Sequence, residues 1–421
     1  MRRLMLPMVL IAACPGGGGD SSTATTTAAS TTTVGPTTAE PTTTSASAAS
    51  TTTSTAATTD TTDATTVDTT ATTSTGDTST GGGPTSTGDD STTGDPATGK
   101  IQWVGRYDDS DPMRVKLGWP GSGFKLTMYG TELQVELEEE MGTNYYQVLI
   151  DGQYINDPIG TGPGKKLYPV AKNLLLGNHQ IEMYRRTEGA FGVTTVTDFV
   201  VTGQIKDLTP SFPHRVEVIG DGVSSGWDND RKDLCGDPLA DNYYRSYPSD
   251  LVSGQIFDVH TIAWKGKGVV KNEDGSKTET LPQLYDRTLA TDPGTVWDYT
   301  RWPAELVAVN LGLADFSGAD DPGEQTFVAG YVDFLVHIRA VNPDAFILVL
   351  MPWKFDAEAA TVQAYLESVV DQRHMAGDMK VAFEDINVKQ LGDGCPGYPY
   401  RDTHQEMSLK LVDAMFKHVP W

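Results

Sequence analysis

Hydrophobic and polar positions are arranged in three different ways along the chain, and each arrangement predicts a different kind of structure. Residues 15–99 are mostly Thr, Ser, Ala, Gly and Asp, with almost no large apolar side chains. Residues 100–208 contain short runs in which apolar and polar positions alternate with a period of two. In residues 209–421, apolar runs of strand length alternate with segments of helical period. The chain therefore predicts a disordered linker followed by two folded domains.

The period-two segment predicts an antiparallel β-sandwich, jelly-roll-like, over residues 100–208. Its runs are separated by Gly, Asn, Asp and Pro at roughly eight- to twelve-residue intervals, which is typical of sandwiches. Asp151-Gly152 and Gly177-Asn178 are candidate hairpin turns. No catalytic set of residues stands out in this domain.

The last segment predicts an α/β domain of three layers with a five-stranded parallel sheet. Its candidate strands are residues 216–219, 257–263, 306–311, 346–351 and 381–386. The clearest helix is 324–341, and Thr403 with Glu406 has the spacing of a capping box that would begin a final helix. The first strand runs into a Gly-Asp-Gly turn, at the sheet edge where such folds place their sites.

Residues 1–14 read as a secretory signal, with two arginines, a short apolar run and small residues before Cys14. The ending IAAC resembles the bacterial lipobox, which implies that Cys14 is lipidated and holds the protein at a bacterial cell surface or outer membrane. An ordinary signal peptide cut nearby is the alternative. The linker of about 85 residues would span about 50 Å as a flexible coil.

Three cysteines are an odd number for an exported chain. Lipidation of Cys14 leaves Cys235 and Cys395, which an oxidising compartment would join, the alternative being two buried thiols. The net charge of −25 would repel a phosphate backbone, so nucleic acid is excluded as a partner. No cofactor and no metal site is predicted, membrane contact is expected only through the lipid, and the oligomeric state stays open.

Local motifs across residues 101–421 resemble carbohydrate esterase family 2, a branch of the SGNH/GDSL hydrolases of the acetylxylan esterase type. In the first domain they are WPGS and IDG; in the second they are GD at 220–221, WKGKGV, LPQLYD, LG with DF, and GC through THQ at 394–405. In that family a Gly-Asp-Ser turn supplies the nucleophile, and a glycine and an asparagine complete the oxyanion hole. A late aspartate and histidine supply the base.

Carried over by position, the resemblance implies that most of this machinery is replaced. The register puts Gly222 at the nucleophile, keeps the oxyanion glycine as Gly266, and puts Ala314 at the asparagine. It puts Pro396 at the aspartate and Tyr398 at the histidine. A protein without nucleophile, base and side-chain oxyanion donor is not expected to hydrolyse esters.

Two alternatives would allow the chain to hydrolyse esters. Ser224 or Ser225 would take over as nucleophile, with Asp402 and His404 as a shifted dyad, or the register itself would be misaligned. The first alternative gives an active carbohydrate ester hydrolase, a deacetylase of acetylated glycans.

Four residues near strand ends are candidates for ligand binding, and they favour a surface lipoprotein that binds polysaccharide as a degenerate esterase homologue. They are Asp221, Trp227, Trp264 and Trp353. Each tryptophan is alternatively a core residue, and a purely structural surface protein is a third class.

Overall fold

The computed structural model of the chain describes residues 101–208, 214–253, 256–318, 320–353, 358–392 and 394–421. All of them belong to one compact unit, Thr85–Trp421. The predicted signal with Cys14, and the predicted linker, lie outside the described residues.

The first part of the described chain is an antiparallel sheet domain, as predicted. Ten strands are hydrogen-bonded into one sheet. They are β1 Ile101–Val104, β2 Tyr107–Asp108, β3 Val115–Leu117, β4 Gly123–Glu139, β5 Tyr145–Ile150, β6 Gln153–Tyr154, β7 Ile159–Gly160, β8 Gly164–Ala171, β9 Gly177–Arg185 and β10 Thr194–Lys206. A single-turn 3₁₀ helix, Gly189–Phe191, lies between β9 and β10.

Strand β4 holds this domain together because it changes neighbours along its length. Its first part pairs with β9 as far as Gly130, and its second part pairs with β8 from Leu133 onward. Alternate side chains such as Leu133, Val135 and Leu137 are fully buried in the domain core. The period-two pattern thus gives a hydrogen-bonded antiparallel sheet whose alternate side chains form the domain core.

The two predicted hairpin turns have different outcomes. Asp151 and Gly152 both have positive φ, 52° and 73°, as a two-residue turn between β5 and β6 requires, so this prediction is confirmed. The prediction for Gly177-Asn178 is wrong, because both residues belong to β9. The preceding loop instead contains Asn173 at a φ of 55°.

The second part is a parallel α/β sheet with the strand order β12-β11-β13-β14-β15. Its strands are β11 His214–Gly220, β12 Phe257–Ala263, β13 Leu306–Asn310, β14 Phe346–Leu350 and β15 Val381–Glu384. Its helices are α1 Gly222–Ser225, α2 Tyr247–Ser253, α3 Leu281–Leu284, α4 Glu324–Val341, α5 Ala359–Met375 and α6 Arg401–His418, with 3₁₀ turns at Tyr243–Arg245 and Tyr299–Arg301.

Two apolar clusters, one on each face of the parallel sheet, confirm the three-layer prediction. Neighbouring residues of one strand divide between them: Ile219 packs with α4 and α5, and Val218 packs with α2 and α6. Each large side chain that is fully buried in this way stabilises the fold by about 1.5 to 3 kcal/mol. The sheet that presents the strand ends is therefore held rigidly from both sides.

The predicted helix 324–341 is confirmed by α4. The final helix, α6, begins at Arg401, earlier than predicted, because Thr403 does not cap it. The Thr403 hydroxyl instead accepts a hydrogen bond from the Leu391 N–H and donates one to the Leu391 carbonyl. None of the helices in the described ranges is both long enough and apolar enough to cross a membrane.

Candidate functional site

The turn that follows β11 depends on Gly220 where it begins and on Gly226 where α1 ends. Asp221 caps α1 by accepting a hydrogen bond from the Val223 N–H at 3.0 Å, and Gly226, at a φ of 75°, closes the helix. A Cβ atom on Gly220 would lie 2.0 Å from the Ser224 Oγ, so only glycine fits where the strand enters the turn. Gly222 is the first residue of α1.

The space in front of Gly222, here called the Gly222 pocket, is occupied by two side chains. A Cβ atom built on Gly222 would lie 2.9 Å from Lys265 Cγ, 3.1 Å from Lys265 Cβ and 3.1 Å from Tyr398 Cε1. Contacts this short mean that even a methyl group would displace a neighbour. Gly222 and Tyr398, which the sequence register puts at the nucleophile and base positions, therefore lie side by side.

Lys265 reaches the pocket from the loop after β12. Its backbone N–H donates to the Glu188 carboxylate, which comes from the loop after β9. Its Nζ lies 2.7 Å from the Glu273 carboxylate and 5.7 Å from the Trp227 ring centre. The lysine is thus held from both parts of the molecule.

Tyr398 is positioned by a loop that a disulfide closes. Cys235 and Cys395 are bonded, with their Cα atoms 5.6 Å apart, so this predicted pair is confirmed. The Tyr398 N–H donates to the Cys395 carbonyl at 3.3 Å. The bond joins the loop after α1 to the loop before α6, which are two of the segments beside the Gly222 pocket.

Buried carboxyl groups surround this pocket. Burial raises the pKa of both Asp221 and Glu188 to about 7, against their hydrogen bonds from backbone N–H groups. Burial also raises the pKa of the Tyr398 phenol, and the charges of Asp221, Glu273 and Glu188 raise it further. The phenol therefore stays protonated and faces a negative surrounding.

Known carbohydrate esterases are similar to this chain in sequence and in fold. The family model "Carbohydrate esterase 2 N-terminal" matches residues 103–210. The cellulase/esterase CelE of Acetivibrio thermocellus is 28% identical over 330 residues, which are 76% of this chain but 40% of CelE. An acetylxylan esterase / glucomannan deacetylase of Cellvibrio japonicus is 25% identical over 332 residues, 76% of this chain and 89% of that protein.

A solved structure extends the likeness to the whole fold. The family two carbohydrate esterase from Clostridium thermocellum, solved in complex with cellohexaose, has a TM-score of 0.72 and 27% identity, covering 76% of this chain and 99% of that chain. The chain is carbohydrate esterase family 2-like. Its antiparallel domain followed by a five-stranded parallel sheet is the SGNH fold of these relatives.

The other two positions predicted for the oxyanion hole, Gly266 and Ala314, lie on the loops after β12 and β13. Gly266 has a left-handed backbone, at a φ of 76°. Ala314 is buried and offers no side-chain donor. Next to it, buried Asp315 accepts the N–H groups of Val269, Val270 and Lys271 at 2.8 to 3.0 Å, which fixes the second motif against the third.

The structure does not assemble the shifted dyad. Ser224 Oγ is fully buried, 2.7 Å from the Tyr247 hydroxyl, and Ser225 Oγ donates to the Gly222 carbonyl at 3.0 Å. His404 is also fully buried, accepts the Tyr247 N–H at 3.2 Å, and has a pKa that burial lowers to about 3. Asp402 is exposed, 3.7 Å from Arg401.

These positions argue against the alternative of a shifted dyad, because the Ser224 hydroxyl bonds to Tyr247 of α2 and the Ser225 hydroxyl bonds to its own turn. Their hydrogen bonds described above give neither hydroxyl an imidazole to take its proton. Pro396, at the predicted aspartate position, is exposed and has no carboxylate.

The three candidate tryptophans differ in exposure. Trp353 is 4% exposed within the core that α6 covers, so the prediction that it binds ligand is corrected. Trp264 is half-buried and packs on the other core, with Lys267 Nζ 5.0 Å from its ring centre. Trp227 is half-buried and lies beside the Gly222 pocket, with Lys265 Nζ near its ring.

Lys265, Glu188 and Glu273 were not found from the sequence. Lys265 lies within a motif that was recognised, but the bond from its backbone N–H to Glu188 joins two domains that are far apart in sequence. Glu188 belongs to the first domain, where no site was expected. Among the described residues, no group of three or more His, Cys, Asp or Glu side chains is placed to hold a metal ion.

Proposed function

We propose that this chain binds polysaccharide and has lost ester hydrolysis. The observation that carries the proposal is the contact between Gly222 and Tyr398, 3.1 Å from the built Cβ to Cε1. It supports the register in which a glycine and a tyrosine replace the nucleophile and the base. A glycine cannot attack, and a protonated phenol in a negative surrounding is a poor base.

Two further features support the loss of chemistry. Ala314 takes the place of a side-chain donor whose removal from an oxyanion hole typically lowers the rate by about a hundred- to a thousandfold. The buried positions of Ser224 and His404 argue against a relocated active site.

Polysaccharide is the proposed ligand because a structural relative was solved with cellohexaose bound. Trp227 supplies a half-buried ring beside the Gly222 pocket, and aromatic rings are suited to stacking on the apolar face of a sugar. Recognition of a neutral polymer needs neither a nucleophile nor a base.

We further propose export and lipid attachment at Cys14. The apolar signal and the IAAC motif support it, and so does the disulfide, since such bonds persist in oxidising compartments. Mass spectrometry of the protein purified from its native membrane would test the lipid. An unmodified N-terminus at another residue would overturn this part.

Hydrolysis is tested with the purified full chain on an aryl acetate and on acetylated xylan. Acetate release should not exceed that of a heat-killed control, because no nucleophile–base pair is present. Clear turnover that Ser224→Ala or Ser225→Ala abolishes would overturn the proposal in favour of the deacetylase.

Binding is tested by affinity electrophoresis of the full chain in gels that contain xylan, glucomannan or a soluble cellulose derivative. At least one polymer should retard the chain, and Trp227→Ala should weaken the retardation by roughly the tenfold expected for a lost ring contact. Leu175→Ala, at an exposed position remote from this sheet edge, is the matched control. No retardation by any polymer would favour a structural protein.

A further inference from the structure

The Gly222 pocket is where an ester group would have to enter, and it is filled by this chain's own side chains. Lys265 Cγ and Tyr398 Cε1 approach the Gly222 backbone so closely that a built Cβ atom lies 2.9 Å and 3.1 Å from them. An acetyl group is larger than that single carbon atom. It therefore cannot stand against Gly222 while both side chains keep their positions.

Both side chains are held in place from several directions. Lys265 is fixed by Glu188 at its backbone N–H and by Glu273 at its Nζ. Tyr398 lies three residues beyond Cys395, whose disulfide joins it to the loop after α1. The Lys265 side chain is 30% exposed and Tyr398 is half-buried, and the backbone of each is restrained by the bonds just described.

The charge around the pocket also disfavours an ester. Asp221, Glu188 and Glu273 all lie near enough to raise the pKa of the Tyr398 phenol. In their ionised form these groups oppose the negative charge that builds up on a carbonyl oxygen, whereas hydroxyl groups of a sugar can donate to them. The shape of the Gly222 pocket and its charge thus both disfavour an acetyl ester.

We infer that the ligand of this site is an unsubstituted polysaccharide segment, which contacts the outer edge of the Gly222 pocket and Trp227 without inserting an acetyl group. The inference rests on the proposed function and adds a selectivity to it. Acetylation of the polymer brings no affinity, since no subsite is open to receive the acetyl carbon atoms.

The first test compares one acetylated glucomannan before and after alkaline deacetylation, by titration calorimetry with the full chain. The affinity should stay within about threefold or rise on deacetylation, whereas an acetyl-binding pocket would make it fall by roughly tenfold or more. Such a fall overturns the inference and leaves the proposed function standing. Binding of neither polymer overturns the proposed function, and with it the ligand assigned here.

The second test examines the pocket without any glycan. In Gly222→Cys, the rate at which iodoacetamide labels the introduced thiol is followed by peptide mass spectrometry. Gly142→Cys, in open space in the loop after β4, is the reference. Labelling should be at least about tenfold slower at position 222 than at position 142, and Tyr398→Ala should accelerate it, because reactivity follows exposure. Equal rates at the two positions overturn the filled pocket.

The introduced cysteine could itself prevent folding, and that outcome is also decisive. If Gly222→Cys is unfolded by circular dichroism but Lys265→Ala restores folding, the clash with Lys265 Cγ is the cause and the filled pocket stands. If neither Lys265→Ala nor Tyr398→Ala restores folding, the pocket is not what excludes the side chain, and the inference fails.

Discussion

At the scale of single residues, Asp221 performs a structural task in a position that is unfavourable for a charge. It caps α1 through the Val223 N–H and is 3% exposed. Burial raises its pKa to about 7, and Glu188 nearby has a pKa raised to the same range for the same reason. The turn is therefore most stable when these acids carry their protons.

The first prediction follows from the sign of this shift. A carboxyl whose pKa is raised from 3.8 to about 7 on folding contributes stability that is complete below pH 4 and is lost as the pH rises through 7. Asp221→Asn keeps an oxygen for the cap but cannot ionise. Unfolding temperatures measured from pH 4.5 to 8.5 should therefore fall less steeply for this variant. The corresponding loss of unfolding free energy should be smaller than that of the parent by an amount on the order of 2 to 4 kcal/mol.

Asp402→Asn, at an exposed position of α6, is the control and should follow the parent curve. The slope should become shallower again when Glu188→Gln is added, because burial also raises the pKa of that carboxyl. Part of the slope should remain, because burial raises the pKa of Asp250, Asp241 and Asp315 as well. A curve of Asp221→Asn parallel to that of the parent would show that Asp221 is ionised in the folded state throughout.

At the scale of elements, the strands and helices were largely predictable and the site only in part. Apolar runs such as 257–263 form strands because burial on both faces of the sheet decides each position locally. The Gly222 pocket is filled by Lys265 and Tyr398, which are both distant from Gly222 in sequence. The capping-box prediction failed at Thr403 because its hydroxyl bonds to the backbone of Leu391, in the loop before α6.

The second prediction concerns the loop between β12 and α3, which Asp315 holds. Its carboxylate accepts three backbone N–H groups, from Val269, Val270 and Lys271. Asp315→Ala leaves these donors without that acceptor and should lower the free energy of unfolding by about 3 kcal/mol or more. Urea unfolding followed by tryptophan fluorescence measures it.

Asp315→Asn retains one carbonyl oxygen and should fall between the parent and Asp315→Ala. Asp333→Ala, at an exposed position of α4, should change the free energy by less than about 0.5 kcal/mol. If Asp315→Ala were as mild as Asp333→Ala, the loop would be held by other contacts.

At the scale of the whole molecule, a buried arginine joins the antiparallel domain to the parallel sheet. Arg106, after β1, pairs with Glu217 of β11 at 2.9 Å, with both side chains almost completely buried. Its guanidinium lies 4.9 Å from the Tyr285 ring centre, and the Tyr285 hydroxyl donates to Glu217 at 2.6 Å. Burial alone would lower the pKa of Arg106, but Glu217 and the neighbouring phenols raise it, so the guanidinium keeps its charge.

The third prediction is that this pair stabilises the two domains as one unit that unfolds cooperatively. Arg106→Met leaves the Glu217 charge buried without its partner and should lower the free energy of unfolding by about 3 to 5 kcal/mol. Arg106→Met with Glu217→Gln removes both charges and should recover roughly 1 to 3 kcal/mol of that loss. Arg301→Met is the matched control, because Arg301 also joins the two domains but pairs with Asp109 at an exposed position. The loss of unfolding free energy in Arg301→Met should remain near 1 kcal/mol.

Each variant is unfolded in urea at pH 7 and followed both by tryptophan fluorescence and by far-ultraviolet circular dichroism. If Arg106→Met and Glu217→Gln were simply additive, the two groups would not be coupled. The union of the domains would then rest on apolar packing alone.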